Sequence, residues 1–368
     1  MLPMLAPPPR PSADPPWRLS VLNPGGRDPA QAFPDGAGAP DDPRSPHPPV
    51  NHHAYAACTH GTFHTRTATA IAAKRPILLL LRRDLSVGIK VLLRLKAADC
   101  TVAVAFKEAG AVQLAGRLQN ASDLSLLQRI LRETDGFIAA TPALETMLSA
   151  LRDTGCGAPH TPGVFIPPPY PVDDERWNFA RHIPERRGIL IGTREFAVPA
   201  RQHLAAILAA LQIHRRTGSP VTVVNIEGFL KGGLLRQLGF SKEPAAPLRV
   251  VKGPLAYADY LREMARHRLV FQLDRSGVPG QVAGDALLCR LPCVGGDGAV
   301  EQIAYPDLAG HDKSPSQLVD IAAALLTDPL RYEQAVDDGQ KRALASLSFR
   351  VTAARLEAYF DSLGAGGQ

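Results

Sequence analysis

The residues of this chain with the most chemical promise fall between Val270 and Pro306, in VFQLDRSGVPGQVAGDALLCRLPCVGGDGAVEQIAYP. Gly277 and Gly280 bracket Val278 and Pro279, and the surrounding pattern reads as strand, turn, helix. Such a turn exposes main-chain N–H groups at a helix N-terminus, where the helix dipole favours an anion such as a phosphate. Glycine permits positive φ and a close main-chain approach, and proline stiffens the turn. A tight strand-to-helix turn explains the same residues without any ligand. Arg275 and Ser276 lie on the turn itself, and an arginine there could grip phosphate oxygens in a bidentate fork. Asp285 and Glu301 read as helix-start acids, which the dipole favours with or without a ligand. Further upstream, Asn51-His52-His53, Thr59-His60-Gly61 and His64 carry imidazoles that titrate near neutrality. Only His60 and His64 stand four apart, without a supporting acid, so no metal site is expected. Cys289 and Cys293 are also four apart, but no second pair follows them, which argues against zinc. No Ser/His/Asp set, Walker loop or GxGxxG fingerprint is present, which lowers hydrolase, ATPase and dehydrogenase readings.

These residues need elements to position them. The chain has 368 residues, 45% hydrophobic and 21% charged, enough for two domains with separate cores. About a third of the first 50 residues are proline, several times ordinary usage, so residues 1–16 and 35–49 are expected to be mobile. Trp17–Leu22 is a candidate first strand, followed by the turn Asn23-Pro24-Gly25-Gly26. From Arg75 onward, apolar runs alternate with helical spacings: strands at Ile77–Leu81, Thr101–Phe106 and Gly136–Ala140, helices at Val87–Ala97, Leu124–Arg132 and Ala143–Arg152. Continuous apolar strands between helices imply a parallel sheet covered on both faces. VFIPPPYP at 164–171 reads as an extended linker, because three prolines cannot continue a helix or a central strand. The pattern restarts with strands at Gly188–Gly192, Val221–Asn225 and Leu248–Val251 and helices at Gln202–His214, Gly232–Leu238 and Tyr257–Arg266. Terminal helices are expected at Ser316–Leu326 and Val351–Leu363. The expected division is 17–170, 171–350 and a last helix, 351–368, that could pack back on the first domain. Paired α/β domains of this kind hold ligands in a cleft at the carboxyl ends of their strands.

The net charge of +6 suits an anionic partner, but aromatics are only 6% and no basic stripe interleaves with them, so nucleic acid is not expected. Ile77–Leu81 is too short to span a bilayer and the start lacks the pattern of a secretory signal. Five scattered cysteines fit a reducing, cytoplasmic location. A basic surface would suit a peripheral position at the inner face of the membrane, although no strong amphipathic anchor is visible. Oligomeric state is not legible.

The second half resembles the nucleotide-sugar glycosyltransferases of GT-B architecture, particularly the large retaining group called family 4. The resemblance rests, in order, on ILIGTREF at 189–196, VTVVNIEG at 221–228, VVKGPLAYADYLREMARHRLVFQL at 250–273, DALLCRLPCVGGDGAVEQI at 285–303 and SPSQLVDIAAALLTDPLRYEQ at 314–334, the last similar to the family's C-terminal helix with a leucine pair and Asp-Pro. It implies an α/β fold of two Rossmann-like, doubly wound parallel-sheet domains facing a central cleft. The implied activity is sugar transfer from a nucleotide-sugar donor to an unidentified acceptor with retention, without a metal or other cofactor. Residues implied for the donor are Gly25, Gly26, Gly192, Arg194, Arg275, Ser276, Gly277, Gly280, Asp285, Gly296 and Glu301, with Arg201 and Lys231 as further cations. Leu255 and Lys252 fall where the base would lie. Asp285 falls on the second of the family's two acids, which holds the ribose hydroxyls; the first falls on Gly277, for which Asp274, Arg275 or Ser276 would have to substitute. His60 is the implied cleft histidine and, with Asp285, the implied catalytic pair. The rival reading is a non-catalytic GT-B module that binds a nucleotide sugar, glycan or protein. A GT-B isomerase would need a pair of acid/base carboxylates, and the sequence presents no convincing pair.

Overall fold

The computed structural model describes residues 17–107, 110–118, 120–154, 161–192, 198–225, 247–252 and 255–365. It divides into two compact units, 1–176 with 345–368, and 177–344.

The first unit is built on strands β1 (Ser20–Leu22), β2 (Gln31–Ala32), β3 (Thr62–His64), β4 (Ile77–Leu81), β5 (Val102–Phe106), β6 (Gly136–Ala139) and β7 (Gly163–Phe165). They form one sheet in the order β2-β3-β1-β4-β5-β6-β7, parallel throughout except for the edge strand β2. Every residue of β4 and β5 is buried, which is why both read as unbroken apolar runs. Side chains alternate between faces, and the two cores divide accordingly. Ile77, Leu79 and Leu81 join Leu92, Ile130 and Leu148 on one face. Leu78 and Leu80 join Tyr55, Leu356 and Phe360 on the other. The second face is covered by the buried helix His52–Cys58 and the last helix, Phe349–Ala365. Tyr359 anchors that last helix by donating to the carbonyls of Pro162 (2.9 Å) and Phe137 (3.1 Å).

The second unit holds β8 (Ile189–Ile191), β9 (Val221–Asn225), β10 (Leu248–Lys252), β11 (Leu269–Phe271) and β12 (Cys293–Val294), all parallel, in the order β10-β9-β8-β11-β12. The order reverses beside β8, so the switch point lies between β8 and β11.

Several expectations need correction. Residues 164–165, read as the start of a linker, belong to β7. Residues 35–49 form hydrogen-bonded turns, and Gln31 bonds both Ser45 (2.7 Å) and the His47 N–H (3.0 Å). The helix expected at 316–326 is present as Pro315–Thr327, and a further helix that was not expected follows it. Pro329 lacks the N–H that would continue Pro315–Thr327, and it starts a new helix, Pro329–Ser346. Asp328 caps that helix through the N–H groups of Leu330 (3.1 Å) and Arg331 (3.2 Å). The helix expected at 232–238 lies outside the described residues. Among the described residues, no helix is long and apolar enough to cross a membrane.

Candidate functional site

In the second unit, the chain leaves β11 at its carboxyl end and runs through Gln272–Gly280 into the helix Gln281–Leu288. Gly277 and Gly280 both have positive φ, +58° and +98°. At Gly280, the cap of that helix, a Cβ would overlap Glu301 Oε2. Gly192 at the end of β8 serves close packing instead, since a Cβ there would overlap Val282 on the same helix. The turn therefore sits on the carboxyl side of the switch point, where doubly wound sheets hold ligands.

Asp274 organises the turn. Its Oδ1 accepts from the Ser276 N–H (2.8 Å) and hydroxyl, and its Oδ2 accepts from the Arg201 guanidinium. Asp274 and Ser276 are buried, so their polar groups are spent on the turn's own geometry. Arg275 is exposed; its N–H donates to Ala200 O (2.9 Å) and its guanidinium to Lys313 O (2.8 Å). Of the side chains at 274–276, Arg275 alone faces solvent.

The glycine loop after β12 completes the arrangement. Gly295 and Gly296 have φ of +85° and +79°, and a Cβ at Gly296 would come within 2.6 Å of Gln272 Nε2. Gln272 donates 2.8 Å to Glu301 Oε1, and Asp297 Oδ1 accepts 2.8 Å from the Gly277 N–H. Glu301 is 3% exposed, and burial, reinforced by Asp274, raises its carboxyl to a pKa of about 8. The shift favours the neutral form of the acid. Burial, with Asp274 beside it, also raises Asp297, against the opposing pull of the Gly277 N–H and Arg275.

Asp285 is not a helix-start acid: it is the fifth residue of Gln281–Leu288, and it is 0% exposed. Its Oδ1 accepts 2.5 Å from the hydroxyl of Tyr257. Leaving a buried hydrogen-bond acceptor unsatisfied costs roughly 1–3 kcal/mol. Tyr257→Phe is therefore expected to lower the urea midpoint by an equivalent amount at unchanged slope; an unchanged midpoint would show that the bond adds nothing.

In the first unit, Gly25 (φ +64°) and Gly26 follow β1 at its carboxyl end. Arg82, just after β4, donates 2.7 Å to Gly25 O across the β1/β4 neighbourhood. Asp28 pairs with Lys107 after β5 and accepts 3.1 Å from Asn23. His52 lies near this pair, 2% exposed, with its pKa lowered to about 4 by burial and then by Lys107. His64, at the end of β3, lies level with Leu22. His60 is elsewhere. It precedes β3, at the amino edge of the sheet, with φ +49° and Nδ1 2.9 Å from Pro34 O. The structure does not bring His60 to Gly25 and Gly26; His52, near Lys107, and His64, at the end of β3, lie toward the carboxyl edge, and adjacency to a glycine did not single them out. Arg194 and Lys231 lie outside the described residues, as does the side chain of Lys252. Among the described residues, no group of three or more His, Cys, Asp or Glu is arranged to hold a metal ion.

No protein-family model and no curated protein matches the sequence. Solved structures do match the fold. An alpha,alpha-trehalose 6-phosphate synthase from Burkholderia multivorans superposes with a TM-score of 0.65 at 10% identity, over 95% of this chain and 97% of that one. A sucrose-phosphate synthase from Thermosynechococcus elongatus gives 0.60 at 16% identity, over 95% and 100%. Anabaena HepE, solved with UDP and glucose, gives 0.59 at 13% identity, over 80% and 81%. With two doubly wound parallel sheets and neighbours of this kind, the chain has the GT-B glycosyltransferase fold.

Proposed function

We propose that the protein is a glycosyltransferase that takes a nucleotide sugar as donor and transfers the sugar, with retention, to an acceptor. The observation carrying this reading is the positive-φ turn Gly277–Gly280, which opens onto a helix N-terminus at the β8/β11 switch point. Negative charge builds on the diphosphate as the glycosidic bond breaks, and main-chain N–H groups with an arginine are suited to neutralise it. In this reading the diphosphate lies against Gly277–Gly280 and Arg275, with Arg194 as a further cation. The ribose is held near Asp285, where the Tyr257 hydroxyl shares the carboxylate. Gly296 lets its loop approach the sugar, while Gly192 and Glu301 set the packing beneath the turn. Within the first unit, Gly25 and Gly26 form a glycine loop of their own after β1. HepE, with UDP and glucose bound, supports a donor of this class.

One observation favours the non-catalytic module instead: Asp285 is fully buried on Tyr257 and position 277 has no side chain. The two readings separate by measuring binding and nucleotide release together. A thermal-shift screen with UDP, GDP, ADP and their sugars should raise the melting temperature for one nucleotide series. Release of that nucleotide in the presence of acceptors supports the enzyme, and binding without release across the panel supports the module. Arg275→Ala is expected to weaken nucleoside diphosphate binding about tenfold, the loss of roughly one charge-assisted bond. If Arg275→Ala and Asp285→Asn both leave the shift unchanged, the site assignment is wrong.

A further inference from the structure

We propose that Asp297 supplies the carboxylate that binds the hydroxyls of the donor's sugar, working from the loop after β12 in place of a side chain at Gly277. This rests on the nucleotide-sugar reading above. A sugar is recognised largely by acceptors for its hydroxyls, and a carboxylate accepts more strongly than a neutral group. The other carboxylates described around the turn are buried and already accept hydrogen bonds, and Asp285 is the one assigned above to the ribose. Asp274 is 5% exposed and takes Ser276 and Arg201. Asp285 is 0% exposed and takes Tyr257. Glu301 is 3% exposed, takes Gln272, and has its Oε2 wedged against Gly280 and Gly298, where a Cβ on either glycine would overlap it.

Asp297 differs from all of these. It is half-buried, and among the described residues its carboxylate accepts from one other residue, through the Gly277 N–H at 2.8 Å. That bond ties the carboxylate to the main chain of position 277, where a Cβ would meet no atom within 4 Å. An accessible acid thus stands beside an open volume on the very turn that would carry the diphosphate. Burial raises its proton affinity, which strengthens it as an acceptor.

Asp297 could instead do nothing more than cap the Gly277 amide. Asp297→Asn separates the two roles, because the amide oxygen can still accept from that N–H while the charge is gone. The measurement is calorimetric titration of wild type and variant with UDP and UDP-glucose, GDP and GDP-mannose, and ADP and ADP-glucose. The variant should bind the nucleoside diphosphate within about twofold of wild type, which also reports that the turn is folded. It should bind the matching nucleotide sugar about 10–100-fold more weakly than wild type, the equivalent of one hydrogen bond to a charged group. An equal loss for both ligands would leave only the cap, and no loss for either, or a wild type that gains nothing from the sugar, would equally overturn the proposal. Wild type binding no member of the panel would instead overturn the nucleotide-sugar reading, and this proposal with it.

Discussion

A Gly280→Ala variant is expected to lose about 2–5 kcal/mol of stability and, with it, any nucleotide-induced rise in melting temperature. Two costs add. Holding a residue with a Cβ in the left-handed region costs about 1–2 kcal/mol, and Gly280 has φ +98°. Forcing a methyl group into a packed site costs about 1–3 kcal/mol more. Here the methyl meets Glu301 Oε2, on a side chain that is 3% exposed and hydrogen-bonded to Gln272, so it has nowhere to retreat. Gly277→Ala provides the control. Its φ is also positive, at +58°, but the added Cβ finds open space. It should lose only the conformational part, about 1–2 kcal/mol. The two urea midpoints should therefore differ at equal slope. Equal destabilisation would mean that Glu301 does not brace the turn.

The second large effect is on acid stability, and it should fall on one unit. His52 and His53 are 2% and 3% exposed, and burial lowers their pKa values to about 4 and about 3. His53 is stacked between His47 (3.7 Å) and Phe63 (3.6 Å), which leaves its ring little room for water. The unfolded chain binds these protons near pH 6.5 and the folded chain does not. Stability from both groups is therefore present above about pH 6.5 and is lost as pH falls toward the folded values. Between pH 7 and 5 each should remove about 2 kcal/mol, and His64, whose pKa burial also lowers, acts in the same direction in the first unit. The second unit carries opposing groups. His267, lowered to about 4 by burial, acts in the same direction. Glu301, raised to about 8, has the opposite sign: its contribution is lost as pH rises toward 8 and regained on acidification. The two nearly cancel between pH 7 and 5.

Trp17 and Trp177, the only tryptophans, report the two units separately. With Trp177→Phe, fluorescence should show the first unit's melting temperature falling sharply from pH 7 to 5. With Trp17→Phe, the second unit should lose less stability than the first, because Glu301 and Asp297 are raised and oppose His267. His53→Phe, which preserves the ring stack, should remove about 2 kcal/mol of the first unit's loss between pH 7 and 5. Parallel shifts in both units would refute this account.

Much of the architecture was legible before any coordinates. The runs ILLLL and VAVAF could only be strands buried on both faces, and both are. Glycine at 277 and 280 pointed to a turn at positive φ, because only a residue without Cβ takes that conformation cheaply. The helix expected at 316–326 stands, and Asp328 followed by Pro329 carried the signal for a further helix that the reading passed over. Short elements were harder to read. In His52–Cys58 every residue is buried, so no polar face marks its period, and β3 has only three residues.

What the sequence determined by itself was local: the order of strands and helices, the apolar faces, and the places where glycine had to stand. These follow from interactions among near neighbours in the chain. Tertiary structure alone decided which polar groups meet. It set His60 at the amino edge of its sheet and Asp28 beside Lys107; it buried Asp285 on Tyr257 and brought Asp297 to the amide of Gly277, 20 positions away. Pairings across such separations depend on how strands are ordered in a sheet, and side-chain period does not encode that order.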